Sequence, residues 1–386
     1  MKEITYKIIN SLKHLPLIPG SRFSQKSGGF LTKIFHLFIE GQKSFSSVKI
    51  NSANTANSKD EIVNYAPNEI KHIINKKRKH KTELIFHVNN RKIVLSMYHF
   101  ENISTALLNQ HINRVYLWLY VASHFAPSRC SRTLNINIYF TDAKKGLPLK
   151  KQPLQSIHAN TAFTTSCNIE TEINIFRQEE WFKVLIHETF HCLGLDFSES
   201  KNETSNAQIL KIFPVKSDVR LFETYCETWA ETINVMCIAF LSTRNNNKAK
   251  MLEKTENMMH YERMFSLLQC TKVLKHFHLT YDELYKKDVA SDSKRKENYK
   301  EETQILSYYI LKCVYIFHLN EYIEWCLSNN GETLSFRKTQ ENIENYITLL
   351  ENFYARPEFL SAIRQYENVD SSKVTKTLRM SVFELV

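Results

Sequence analysis

Glycine and proline are both scarce, at 7 and 8 residues in 386. So little glycine excludes a collagen-like or glycine-rich fibrous chain. No stretch approaches the roughly 18 consecutive apolar residues that a spanning helix needs, so no membrane span is expected. Lys7, Lys13, His14 and two prolines interrupt the first twenty residues, which spoils any secretory leader there. C-x-x-C pairs are missing too. The eight cysteines (130, 167, 192, 226, 237, 270, 313 and 326) show no framework spacing, and several fall in apolar helical stretches. The expectation is reduced, buried thiols in an intracellular chain.

Apolar residues are plentiful. At 43% hydrophobic and 12% aromatic, most of the chain can build a core, which excludes wholesale disorder. The length suits two or three compact units. The net charge of +11 is unevenly placed: residues 1–100 hold 17 Lys/Arg against 6 Asp/Glu, and the remainder is neutral. Basicity therefore belongs to the N-terminal region and not to the body.

Residues 1–81 read as a basic, poorly ordered region. Ser46, Ser47, Asn51, Ser52, Asn54, Asn57 and Ser58 form a polar tract with little periodicity. Phe30 to Ile39 has the spacing of a short amphipathic helix that packs on the body. Lys76-Lys-Arg-Lys-His-Lys81 is a compact basic run without interleaved aromatics, so it reads as a solvated linker and nucleic-acid binding gains little support.

Regular structure is expected from residue 82. Segments 83–88 and 92–97 read as strands joined by a turn at Asn89-Asn90. A helix follows over 103–125, and Leu134 to Thr141 alternates with period two, as a half-buried strand does. Segments 161–167 and 172–176 suit another strand pair. A helix over 179–193 follows, with Gly194 placed to end it. Beyond 200 the pattern is helical, over 218–243, 247–278, 302–328 and 336–367. A charged separator lies at 291–298, and 377–383 reads as a closing strand. The fold class is α+β: a small, mostly antiparallel sheet with backing helices over 82–200, then a mainly helical subdomain over 201–386.

His187-Glu-Thr-Phe-His191 carries the chemistry. Four residues apart on a helix, His187 and His191 share one face, so both imidazoles can bind one ion. Glu188 projects off that face. It is badly placed as a ligand but well placed to take a proton from water activated by the ion. A third ligand must come from elsewhere. Phe197 occupies the third-ligand position of the metzincin pattern, so that pattern fails here. Glu223, Glu227 and Glu231 recur every four residues on a later apolar helix. Three like charges on a buried stripe would repel, and a divalent cation would relieve them.

These residues resemble the gluzincin group of zinc metallopeptidases, in which a glutamate on a later helix completes the H-E-x-x-H site. Glu227-Thr-Trp-Ala-Glu231 looks like that group's glutamate helix. The resemblance implies a zincin-like fold with His187, His191 and Glu227 on zinc. It implies Glu231 behind a ligand histidine and Glu188 as general base. Glu223 as ligand with Glu227 behind it is the other registration. Segments 179–197 and 307–313 are also similar to uncharacterised proteins of giant DNA viruses, which would allow a virion-associated place. A peptide or protein substrate is implied, lying along an exposed edge at 161–167. Tyr308 or Tyr309 is the candidate donor to the oxyanion. The competing readings are a binding or structural protein on an inactive zincin scaffold, and a basic, nucleic-acid-associated protease.

Overall fold

The computed structural model describes residues 1–46, 51–58, 62, 65–77, 79–149, 152–200 and 203–386. Ser47 of the polar tract and Arg78 of the basic run lie outside them. In chain order the first elements are α1 (Glu3–Leu12), α2 (Gln25–Phe45), β1 (Asn51–Ser58) and α3 (Asn68–Lys76). The sheet continues with β2 (Lys79–Val88) and β3 (Arg91–His99), then α4 (Thr105–Phe125) and β4 (Thr133–Tyr139). A short α5 (Ser156–Ala159), β5 (Ala162–Thr164), β6 (Glu170–Ile175) and α6 (Trp181–Cys192) follow.

The fold is α+β, built on one six-stranded sheet of order β1-β2-β3-β4-β6-β5. The sheet is mixed. β3, β4 and β6 run parallel, and β1, β2 and β5 are antiparallel to their neighbours. The parallel core follows from α4, whose 21 residues carry the chain back across the sheet between β3 and β4. Alternation decides the faces. Leu134, Ile136 and Ile138 of β4 enter the main core, whereas Asn137 turns outward and donates to Glu172 and Asn174 of β6. The hairpin turn falls at Asn89, in the left-handed region at φ 50°.

Three expectations are corrected in this half. The region 1–81 is not poorly ordered across its described residues. α2 buries Phe30, Leu31, Ile34, Phe35 and Phe38, spaced three and four apart, and its lysines stay outside that stripe. The polar tract pairs as β1 along β2, because a ladder needs only backbone groups. Cys130 and Cys167 form a disulfide, contrary to the all-thiol reading, while the other six cysteines are free and buried.

The second half is helical: α7 (Glu203–Ile212), α8 (Leu221–Leu241), α9 (Lys248–His276), α10 (Tyr281–Tyr285) and α11 (Val289–Asn298). A π-helical stretch, Leu306–Leu311, leads into α12 (Lys312–Phe317), and α13 (Leu319–Asn330), α14 (Gln340–Phe353) and α15 (Pro357–Glu367) complete the set. The charged separator at 291–298 is itself helical and lies within α11. Apolar residues of both halves join one hydrophobic core, so the boundary near 200 does not divide the packing.

Residues 377–383 form no strand, apart from a bridge between Thr377 and Gly146. Instead the segment 378–384 is buried, and carboxylates satisfy its amides. Glu180 accepts from Met380 and Ser381, and Glu262 accepts from Val382 and Phe383. Lys312 donates to the Met380 carbonyl at 3.2 Å. Glu180 holds φ at 61° as the residue before α6, a strained conformation supported by these bonds and by Lys145 at 2.5 Å.

Gly194 ends the α6 region at φ +65°, and a Cβ there would lie 2.9 Å from Cys130 Sγ. Gly194→Ala should cost at least about 2 kcal/mol of stability from backbone strain and collision together. Urea denaturation of the two proteins measures this. Wild-type stability in the variant would show that the turn tolerates a side chain.

Candidate metal centre

Every residue of α6 from Trp181 to Cys192 is buried, and α8 packs directly against it. Their contact brings the histidine face of one helix to the acidic stripe of the other. His187 Nε2 lies 3.0 Å from Glu223 Oε2, and His191 Nε2 lies 3.4 Å from the same oxygen. The two Nε2 atoms are 3.2 Å apart. One donor atom from each of the three residues thus falls within 4.8 Å of the others, an arrangement that could hold a metal ion.

Outer partners fix each ring. His187 Nδ1 is 2.9 Å from Glu227 Oε2, and the other oxygen of Glu227 is paired with the buried Lys183 one turn before His187. His191 Nδ1 is 2.6 Å from Asp196 Oδ2, and Ser198 donates to the remaining Asp196 oxygen at 3.1 Å. Cys226 Sγ, 3.8 Å from both His191 Nδ1 and Asp196, completes a second donor group, but it shares the nitrogen that Asp196 engages. Both Nδ1 atoms bonded to carboxylates leave both Nε2 atoms for the ion.

The glutamate registration is therefore shifted by one turn. Glu223, and not Glu227, faces both Nε2 atoms, and Glu227 stands behind His187. Glu231 supports no histidine and pairs instead with Lys312 at 2.6 Å. The cause is helical rise: four residues advance about 6 Å along α8, so only one carboxylate of the stripe is level with the two imidazole tips. No motif in the sequence marks Asp196 or Lys183 for these roles. A short polar side chain five residues past His191, and a lysine inside an apolar run, were the signals available.

Glu188 lines a small cleft that His187, Tyr308 and residues Asn160, Thr161 and Ala162 also wall. The cleft volume is about 40 Å³, room for about three water molecules. Tyr308 enters from the π-helical stretch, a distortion common at functional sites. Its hydroxyl donates to Glu223 at 3.2 Å. Tyr309 bonds to the Leu378 carbonyl and Tyr225 to that of Leu334, so both face away.

No protein-family model matches the chain, and no curated protein or solved structure matches it. The centre stands on its own geometry. No helix among the described residues is long and apolar enough to cross a membrane.

Protonation follows from packing charges out of water. Burial opposes the charged form of His187, but hydrogen bonds to Glu223 and Glu227 outweigh it and raise the ring to about 9. Burial likewise opposes charge on His191, and Cys226, Glu223 and Asp196 overcome it, holding the ring well above its ordinary value. Burial alone would raise Glu223 and Glu227, yet the histidines, and Lys183 beside Glu227, pull both below the usual carboxylate range. Glu188 is raised, chiefly by burial.

The surrounding carboxylates thus favour the protonated form of the rings, so a bound cation would displace protons. Divalent metal affinity should fall by about tenfold or more per unit as pH drops below 9, with protons released on binding. Calorimetry in buffers of different ionisation enthalpy counts them. Binding without proton release would contradict this electrostatic arrangement.

Proposed function

We propose that this chain is a zinc-dependent metallopeptidase with a zincin-like active site, similar in plan to the gluzincins. The observation that carries the reading is the convergence of His187 Nε2, His191 Nε2 and Glu223 Oε2, with Glu188 on the same helix at the cleft. Two imidazoles and one carboxylate, all braced from behind, suit zinc with a position left for substrate. Zinc held there supplies a Lewis acid that polarises a carbonyl and lowers the pKa of water.

The chain's own groups supply the rest. Glu188 takes the proton from the attacking water on its carboxylate and passes it to the leaving amine nitrogen. Its raised pKa brings it closer to neutrality, where both transfers are favourable. Tyr308 Oη, on the cleft wall, donates to the carbonyl oxygen as negative charge develops. Glu227 and Asp196 keep the two histidines in the tautomer that leaves Nε2 free, and Lys183 keeps Glu227 ionised.

Substrate entry follows from the sheet. β5 is the last strand of the order, and its outer edge is unpaired by any described strand. An extended peptide can add there, antiparallel to β5, and bring one carbonyl to the cleft.

The test is metal content and hydrolysis together. Purified protein should hold about one zinc per chain by mass spectrometry. Cleavage of a peptide library should stop on chelation and return with zinc. Sub-stoichiometric metal, or cleavage indifferent to a chelator, would refute the reading.

A further inference from the structure

A second cavity, sharing no lining residue with the metal cleft, lies where the parallel strands β3 and β4 end and α4 begins. Its volume is about 270 Å³. His99 at the end of β3, Phe100 and Ser104 from the next loop, His111 of α4 and Phe140 beyond β4 form its wall. Open sheets leave ligand crevices at the carboxyl ends of parallel strands.

Several features give this crevice a chemistry. His99 and His111 are 6% and 3% exposed, and neither His99 Nε2 nor His111 Nδ1 has a hydrogen-bond partner among the described residues. Both rings stack with Phe140, at centroid distances of 4.4 and 5.1 Å, which sets their orientation. Burial is the main influence keeping them neutral, at about 4 for His99 and about 3 for His111. His99 Nε2 and His111 Nδ1 are sealed in the wall, so the N–H that each neutral ring can offer the cavity is on the opposite nitrogen, His99 Nδ1 and His111 Nε2. After burial, Arg114, His99 and Lys2 lower His111 further, so the field at that ring is positive.

Helix α4 adds to it. It is 21 residues long with no acidic side chain in its first turn, so no carboxylate of that turn offsets its positive end. Lys77, half exposed, also lines the cavity, with the more exposed Asp142 at 3.6 Å and the Phe100 ring centroid at 6.0 Å from its Nζ. Phe100, Ile103 and Leu107 supply an apolar wall. Glu101 and Asp142 are on the wall as well, which disfavours a polyanion. Neither histidine belongs to a group of three metal donors among the described residues.

We infer that this cavity binds a small monocarboxylate carried on a compact apolar body. Seated at the N-terminal end of α4, the carboxylate accepts from the imidazole N–H groups and from Lys77, which follows α3. The body rests on Phe100, Ile103 and Leu107. This site does not depend on the metallopeptidase reading, because none of its residues touches the metal centre.

Titration calorimetry of the full chain with benzoate, benzyl alcohol and phenyl phosphate tests it. Benzoate should bind at least about tenfold more tightly than benzyl alcohol, the value of a charge-assisted hydrogen bond. Lys77→Gln and His99→Phe should each weaken benzoate by about tenfold and leave benzyl alcohol unchanged. His99→Phe keeps a ring against Phe140 without the N–H. Lys77 is half exposed, so Lys77→Gln serves even if the other variant fails to fold. Benzoate no tighter than benzyl alcohol, phenyl phosphate preferred over benzoate, or benzoate affinity indifferent to Lys77→Gln would each overturn the inference.

Discussion

Glu188→Gln is expected to keep its metal and lose peptide hydrolysis by about 10²- to 10⁴-fold, the range for removing a positioned general base. The amide matches the carboxylate in shape, so the buried cleft wall stays packed. It cannot accept the water proton, so only the transfer is lost. Because Glu188 is no part of the converging donor set, metal content should equal that of the wild type. Retained metal with lost turnover separates proton transfer from ion binding. Turnover equal to the wild type would remove Glu188 from the mechanism, and joint loss of metal and turnover would make it a ligand.

The second large effect concerns the two glutamates of α8. Glu223→Ala removes a donor atom 3.0 and 3.4 Å from the two Nε2 atoms. Zinc should then be lost during dialysis against a mild chelator, with affinity down by at least about 10³-fold. Glu227→Ala removes only the partner of His187 Nδ1 and should cost about 10- to 100-fold, the usual range for an outer partner. It also leaves Lys183 buried without its counterion, so the variant should be less stable by about 3–5 kcal/mol. Competition with a chromophoric chelator ranks the two affinities. If Glu227→Ala loses zinc while Glu223→Ala keeps it, the registration is reversed.

Much of the local structure was legible because periodicity is a local property. The alternation at Leu134 to Thr141 and the helix entering His187 depend only on neighbours within a turn or a pleat. The histidine pair was legible for the same reason: spacing four on one helix places both rings together whatever surrounds them. Glu223 against Glu227 was not legible. A four-residue acidic repeat offers several registers, and the axial offset of two packed helices selects one. Asp196 lies only five residues past His191, but its bond to that ring depends on the turn at Gly194. The N-terminal helices were obscured by composition, since excess lysine on an outer face masks an inner apolar stripe. The last segment alternates as a strand would, yet its amides are taken by Glu180 and Glu262, partners far away in the chain.

That last arrangement bears on how the protein is made. Segment 378–384 lies beneath α6 and follows every described helix and strand in order of synthesis. The amides that Glu180 needs reach it only after the whole of this body has left the ribosome. A nascent chain therefore holds the histidine helix without this support until segment 378–384 has emerged. Interrupted translation would yield fragments with the full set of ligands and no rigid cage to keep them together.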